Sequence, residues 1–139
     1  MLRPHLAEEV TAMLRKPVQP QGWRQVQSLS QGVRFGNLLF VSGQVATDPQ
    51  GKLVGQSDFE AQAIQVMENI KAILEAAGSH LDNVLKITTF ITRLEDRAKM
   101  YEIRNRYFTE PRPASTAVVV KSLVNPDYLI EMECVAALE

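Results

Sequence analysis

Two glutamates, Glu131 and Glu133, interrupt the apolar run that ends the sequence. Alternation places Glu131 in the middle of a strand, and a carboxyl group that is partly shielded from water tends to have a raised pKa. Such a group is suited to exchange a proton with a bound substrate or a water molecule. The alternative is that both glutamates simply hydrate an exposed strand face, because carboxyls with perturbed pKa values are the minority. Glu131 is the candidate for acid–base chemistry, and a solvated strand face stays open beside it.

The histidines and the cysteine suggest no further chemistry. His5 and His80 have no carboxylate or cysteine at ligand spacing, so we predict no metal site and no cofactor. The single cysteine, Cys134, cannot form an internal disulfide, and a lone thiol in an apolar run is more often a small buried hydrophobe than a nucleophile. We expect a reducing, cytoplasmic location.

Length and charge limit the class of protein. The chain has 139 residues, of which 45% are hydrophobic and 22% charged, as expected for one globular domain. A net charge of -1 leaves no excess of positive charge for a phosphate backbone or an anionic membrane. No apolar run is long enough to span a bilayer, and Glu8 and Glu9 interrupt the stretch where a signal peptide would be apolar. We therefore expect neither a nucleic-acid partner nor a membrane partner.

The N-terminal segment predicts an appendage to this domain. Residues 4–16 have the spacing of a short amphipathic helix, with Pro4 suited to its first turn. The stretch 17–22 holds two prolines and a glycine, which is typical of a linker. We divide the chain into an N-terminal helix and linker, residues 1–22, and a domain, residues 23–139.

The domain has the pattern of a β-β-α-β-α-β-β fold. The predicted strands span residues 23–35, 38–46, 84–92, 116–122 and 129–138. A capping box of Ser57 and Glu60 predicts the start of the first helix, and Gly78 its end. Thr92 and Glu95 have the same spacing before the second helix. The sequence predicts an α+β domain with a single sheet and two helices on one face.

The second face of that sheet carries apolar side chains as well. Val135 shares a face with Glu131 and Glu133, while the adjacent strand alternates between Val118 and Val119. Two helices cover only one face of a sheet, so the other face needs a partner surface, most simply another copy of the chain. We expect an oligomer with small-molecule sites between subunits.

Three stretches together resemble the YjgF/Rid family of reactive-intermediate deaminases, to which the name endoribonuclease L-PSP is also attached. They are SQGVRFGNLLFVSGQVATDPQGKLVG from Ser30, AQAIQVMENIKAILEAAGSHLDNVLKITTFI from Ala61, and RPASTAVVVKSLVNPDYLIEMECVAAL from Arg112. The resemblance implies a chorismate-mutase-like fold in a homotrimer, with three clefts at the subunit boundaries. It also implies a small-molecule ligand, because active members hydrolyse enamines and imines to a keto acid and ammonia.

The resemblance also implies site residues. Glu131 matches the family's acidic residue that positions the attacking water, and Ser42 and Gly43 match its S-G-Q cleft strand. The family's P-A-R arginine, which grips the substrate carboxylate, is matched by Ser115. Ala117 stands at the family's small thiol position.

Two further positions depend on the same alignment. Leu29 stands where the family has a tyrosine. Arg112 lies three residues before Ser115, and its long side chain either reaches the cleft or is an ordinary exposed loop arginine. Because the carboxylate clamp is absent, two functions stay open: hydrolytic deamination of an enamine or imine, and non-catalytic binding of a small metabolite. Ribonuclease activity is disfavoured by the charge and by the absence of a histidine pair suited to acid–base cleavage.

Overall fold

The computed structural model describes residues 3–6 and 14–139, and its centre is one six-stranded sheet. The strands are β1 (Lys16–Val18), β2 (Gly32–Phe35), β3 (Leu38–Gln44), β4 (Val84–Ile91), β5 (Ala114–Val119) and β6 (Ile130–Ala137). Their spatial order is β1-β2-β3-β6-β4-β5, and only β4 and β5 are parallel. Two α-helices, α1 (Phe59–Ala76) and α2 (Arg97–Tyr107), complete the predicted α+β fold.

The hairpin of β2 and β3 and the long helix α1 follow from local sequence as predicted. Gly36 has a φ of 59° in the two-residue turn that joins Phe35 to its partner Leu38. Apolar residues recur every three or four positions along α1, and this stripe is buried against the sheet. Its fully buried members are Ala63, Val66, Met67, Ile70, Ile73 and Leu74. From α2, Met100 and Ile103 join the same core.

Both predicted helix caps are wrong in detail. Asp58, not Ser57, is the N-cap of α1, and its Oδ1 accepts a hydrogen bond from the Ala61 amide at 3.1 Å. Ser57 has a φ of 57°, which turns the chain into the cap position. Before α2, the residues Leu94–Asp96 form a short 3-10 turn, and Asp96 pairs with Arg93 at 2.8 Å instead of capping the helix.

The start of the chain also differs from the prediction. Residues 4–6 are helical, while 7–13, the middle of the predicted helix, lie outside the described residues. Lys16–Val18 form β1, an edge strand antiparallel to β2, so the predicted helix end and linker are wrong here. An edge strand tolerates Pro17, because the missing N–H faces away from the sheet. The sheet begins before Trp23, and the division of the chain at that residue stays a prediction.

The helices leave one face of the sheet uncovered, which we call the open face. It carries the alternate residues of β3, β4, β5 and β6, including Phe40, Phe90, Val118 and Glu131. Phe40 is 47% exposed and Val118 is 41% exposed. The prediction of apolar side chains on both faces is therefore confirmed. Within the part of the chain that the structure describes, no helix has the length and apolar character needed to cross a bilayer.

Candidate functional site

The Glu131 carboxylate lies directly against the backbone of Gly43. The β3–β6 register shifts between Val41 and Gln44, and this irregularity brings Gly43 under the side chain of Glu131. A Cβ added to Gly43 would lie only 2.0 Å from Glu131 Oε1. The carboxylate thus occupies space that only a glycine leaves free.

This position changes the acidity of the group. Glu131 is half-buried, and loss of hydration raises its pKa above the ordinary value. The charge of Glu133 on the same strand raises the pKa of Glu131 further. No described cation offsets these two effects on the pKa. The predicted acid is therefore in an environment that favours its holding a proton, as an acid–base group requires.

Ser42 and Leu29 surround the same spot. The Ser42 hydroxyl donates a hydrogen bond to the Ser30 carbonyl at 2.5 Å, and the Ser42 amide donates to the Gln31 carbonyl at 2.9 Å. These bonds hold the segment before β2 along β3. Leu29 is half exposed and, with Gly43, lines a small cavity of about 160 Å³. The structure brings together four predicted residues: Leu29, Ser42, Gly43 and Glu131.

Ser115 and Ala117 lie on the other side of the sheet. Ser115 is paired with Ile87, and Ala117 with Thr89, and both partners are buried under the helices. Side chains alternate along a strand, so a one-residue offset moves a residue to the opposite face. Within one protomer, Ser115 and Ala117 therefore lie on the face opposite Glu131. Their place in a cleft between copies of the chain stays a prediction.

Thr116 and Val118 occupy the open face instead. Phe90 pairs with both Val118 and Glu131, which places Val118 two strands from the acid on the same face. The Lys86 ammonium donates a hydrogen bond to the Thr116 hydroxyl at 2.5 Å. Sequence reasoning assigned none of Lys86, Thr116 and Val118 to the site, although the alternation of β4 places Lys86 on the face of Phe90.

Lys86 does not replace the missing arginine at Glu131. Its partner on β6 is Val135, four residues from Glu131, which is a separation of about 13 Å along the strand. A molecule the size of a small enamine does not span that distance. Lys86 is therefore out of reach of the Glu131 carboxylate in the same protomer, and the cation that shares a cavity with Gly43 and Leu29 is Arg24.

Arg112 lies with Ser115, away from Glu131. Its guanidinium forms an exposed ion pair with Glu110. Arg112 and Ser115 line a cavity of about 240 Å³ between α2 and β5, together with Arg104 of α2. Arg112 thus borders the same cavity as Ser115, on the helix-covered side of the sheet, and its reach into a cleft between copies stays a prediction.

Cys134 and His80 are the remaining side chains that could carry chemistry, and both lie apart from Glu131. Cys134 is buried in the core, and burial raises the pKa of its thiol to about 12. His80 Nε2 lies 3.3 Å from Glu139, a neighbour that sequence spacing did not reveal. Among residues 3–6 and 14–139, no three histidine, cysteine or acidic side chains are grouped as a metal site would require.

Known sequences that match this chain belong to one family. The family model described as Endoribonuclease L-PSP matches residues 22–138. A RutC family protein of Pyrococcus abyssi is 42% identical over 136 residues, which cover 96% of this chain and 100% of that protein. Protein DfrA of Myxococcus xanthus is 40% identical over 114 residues, which cover 80% of this chain and 87% of that protein.

Solved structures agree with the sequence matches. RidA from an Antarctic Psychrobacter bacterium superposes with a TM-score of 0.81 at 38% identity, covering 88% of this chain and 99% of that one. Escherichia coli TdcF, solved with bound serine, gives a TM-score of 0.80 at 32% identity, covering 89% and 99%. From the nearly full-length match in sequence and in fold, we conclude that the chain belongs to the RutC/Rid family, whose family model is described as endoribonuclease L-PSP.

Proposed function

We propose that this protein hydrolyses small enamines or imines at the Glu131 carboxyl, in a cleft that a second copy of the chain closes. The observation that carries the proposal is the position of Glu131: half-buried against Gly43, with a raised pKa and no described cation beside it. An acid in such a place holds and returns a proton near neutral pH more readily than a hydrated glutamate.

The reaction is an addition of water followed by loss of ammonia. An enamine first gains a proton at carbon and loses one from nitrogen to become an imine. Water then attacks the imine carbon, and the Glu131 carboxylate accepts one of its protons. The same carboxyl group returns that proton to nitrogen. As the C–N bond breaks, the departing amino group takes the hydroxyl proton of the adduct, so ammonia leaves and the carbonyl forms. Glu131 ends the cycle in its starting state, so no cofactor is needed.

We propose that the cleft forms when copies of the chain associate through their open faces. Phe40 and Val118 expose apolar surface on the face that carries Glu131, and a monomeric protein rarely leaves such a face bare. Three copies arranged in a ring would cover these faces and place three clefts at the boundaries, as the resemblance to the family implies. A cytoplasmic location stays part of the proposal.

The proposed substrate has no strict need for a carboxylate. Thr116 and Val118 occupy the open face, and Lys86 is too far from Glu131 along the strand to grip a small anion there. TdcF was solved with serine bound, so a relative of similar fold does accept a small amino acid. For this chain we propose weak activity on enamines derived from simple amino acids, and comparable activity on uncharged ones.

A dehydratase-coupled assay tests the proposal. An amino-acid dehydratase acting on serine releases a short-lived enamine, and the rate of keto acid formation is followed with and without this protein. Glu131→Gln should reduce the acceleration by about 10²-fold or more, the usual contribution of a positioned acid–base group. Glu75→Gln, an exposed change on α1, is the matched control and should retain full activity. Equal activity of the two variants would refute the role of Glu131.

Non-catalytic binding is the second candidate, and Ser115 at the position of the family's arginine, with Lys86 too far from Glu131 to replace it, favours it. A binding protein would accelerate neither charged nor uncharged enamines. It would still bind a small uncharged amine or amide, and Glu131→Gln would keep that affinity. Calorimetric titration of the wild type and Glu131→Gln with a small amide, beside the kinetic assay, separates the two functions.

A further inference from the structure

Arg24 is a cation at the wall of the cavity of about 160 Å³ that Gly43 and Leu29 also line. Its guanidinium lies against the backbone of Gly51: a Cβ added there would be 2.6 Å from Cζ and from Nη2, and 2.8 Å from Nε. Gly51 has a φ of 86°, a conformation that glycine adopts without strain. The turn therefore leaves free the space that the guanidinium occupies.

The charge of Arg24 is held in place but not paired. Its amide donates a hydrogen bond to the Pro49 carbonyl at 2.8 Å, and its carbonyl accepts one from Gln19 Nε2 at 3.2 Å. Asp48 lines the adjoining cavity with Arg24, but its Oδ1 accepts hydrogen bonds from two amides of its own turn, each at 2.9 Å. Three other arginines form ion pairs with acids, whereas Arg24 has none within residues 3–6 and 14–139. Arg24 is exposed, so this charge is available to a ligand.

Gln31 adds a second donor to the same cavity. Its side-chain oxygen accepts a hydrogen bond from Gln44 Nε2 at 2.8 Å, and Gln44, which is buried, also donates to the Ser42 carbonyl at 3.1 Å. These bonds orient the Gln31 amide and leave its NH₂ group without an acceptor in the described part of the chain. No described acid lines this cavity. Its polar lining is therefore suited to an anion.

The charge of Arg24 lies apart from the Glu131 carboxylate. Glu131 approaches the cavity through Gly43 and does not line it beside Arg24. A cation close to a carboxylate lowers its pKa, yet the pKa of Glu131 is raised, with no offset from Arg24. A group bound by Arg24 would therefore be remote from the carbon that reacts at Glu131.

We propose that Arg24 and Gln31 bind a carboxylate at the far end of the substrate, and so select enamines and imines whose side chain carries a second anionic group. This inference rests on the proposed function and names its substrate class. The planar guanidinium matches the two carboxylate oxygens, and the Gln31 NH₂ donates to one of them. The cavity is below the usual size for drug-sized ligands, so it suits a short chain, such as that of an amino dicarboxylate. Enamines of simple amino acids lack this group, in agreement with the weak activity proposed on them.

A pair of imines of equal length tests the selection. An amino-acid oxidase, with catalase to remove peroxide, converts glutamate and glutamine to imines that end in a carboxylate and in an amide. The wild type should hydrolyse the glutamate imine with a kcat/KM at least tenfold higher than that for the glutamine imine, because charge-assisted hydrogen bonds form only with the carboxylate.

Variants of Arg24 should change this preference. Arg24→Gln should bring the ratio of the two kcat/KM values close to one, and Arg24→Lys should restore part of it, because the charge returns without the planar fork. Lys52→Gln is the matched control: it removes a charge from the same exposed turn but does not line the cavity, so the ratio should stay that of the wild type. A ratio that is unchanged in Arg24→Gln would overturn the proposal.

Direct binding separates a failure of this inference from a failure of the proposed function. Calorimetric titration with 2-oxoglutarate and 2-oxopentanoate compares stable keto acids of equal length, with and without the second carboxylate. The wild type should bind 2-oxoglutarate at least tenfold more tightly, Arg24→Gln should lose this difference, and Glu131→Gln should keep it. Full activity of Glu131→Gln on both imines would refute the proposed function alone. Equal wild-type affinity for the two keto acids would overturn the role of Arg24, whatever the kinetic result.

Discussion

Adding one methyl group at Gly43 should inactivate the protein without unfolding it. In Gly43→Ala the new Cβ would lie 2.0 Å from Glu131 Oε1 and 3.0 Å from its Cδ. Ordinary contacts are longer, so the carboxylate must move by about 1 Å or more. Because the clashing atoms are the free end of a flexible side chain, the movement is local.

The expected size of the effect follows from that movement. A displacement of about 1 Å of a catalytic group lowers kcat/KM by about 10²-fold. Alanine also suits a strand better than glycine by roughly 0.5–1 kcal/mol, so the free energy of unfolding should change little. The dehydratase-coupled assay measures the first quantity, and urea denaturation measures the second.

A double-mutant cycle shows whether Gly43 acts through Glu131. If it does, Gly43→Ala should add almost nothing to the loss already caused by Glu131→Gln. Additive losses would mean that Gly43 has a role of its own. Full activity of Gly43→Ala would refute the inference that the carboxylate must lie against this glycine.

Four more outcomes follow from the structure. The pKa of Glu131 is higher in the folded protein than in the unfolded chain, so the folded protein loses stability as the pH rises from the unfolded-state pKa through the folded-state pKa. Glu131→Gln removes this loss and should raise Tm at pH 7. The gain in Tm should vanish below pH 4.5, the ordinary pKa of a glutamate. A pKa of about 12 predicts that Cys134 resists thiol reagents at pH 8 until denaturant is added, and labelling of the native protein would contradict its burial. Asp58→Ala should lower the free energy of unfolding by about 1 kcal/mol, whereas Ser57→Gly should not lower it. If urea denaturation shows the larger loss for Ser57→Gly, Ser57 and not Asp58 is the N-cap of α1. Phe40→Asp should produce a folded monomer in light scattering if the open face is the contact between copies, while an unchanged mass would exclude Phe40 from that contact.

The sequence predicted the elements with strong local periodicity. The apolar stripe of α1 and the alternation of β6 predict the helix-covered core and place Glu131 on the opposite face. Both predictions work because the buried residues follow the 3.6-residue period of a helix and the two-residue period of a strand. The turn at Gly36 was equally local. The cap of α1 was misplaced by one residue, because both Ser57 and Asp58 are good cap types and only backbone geometry separates them.

The site was less predictable because it depends on register between distant strands. The irregularity in β3 that brings Gly43 under Glu131 leaves no signal in residue types. Ser115 and Ala117 are assigned from a motif, which does not specify a face of the sheet. The pairing of β5 with β4 puts both on the face opposite Glu131 within one protomer, because side chains alternate between the two faces along a strand. Arg104 was missed because charged helix residues are normally exposed, and its burial depends on how α2 packs beside β5.

A crystal structure of the assembled protein soaked with a small keto acid tests the central claim most directly. We expect the open faces of neighbouring copies to meet and the keto acid to lie within hydrogen-bond reach of the Glu131 carboxyl in the cleft between them. An open face in contact with solvent, or a keto acid bound only elsewhere, such as beside Arg104, would contradict that claim.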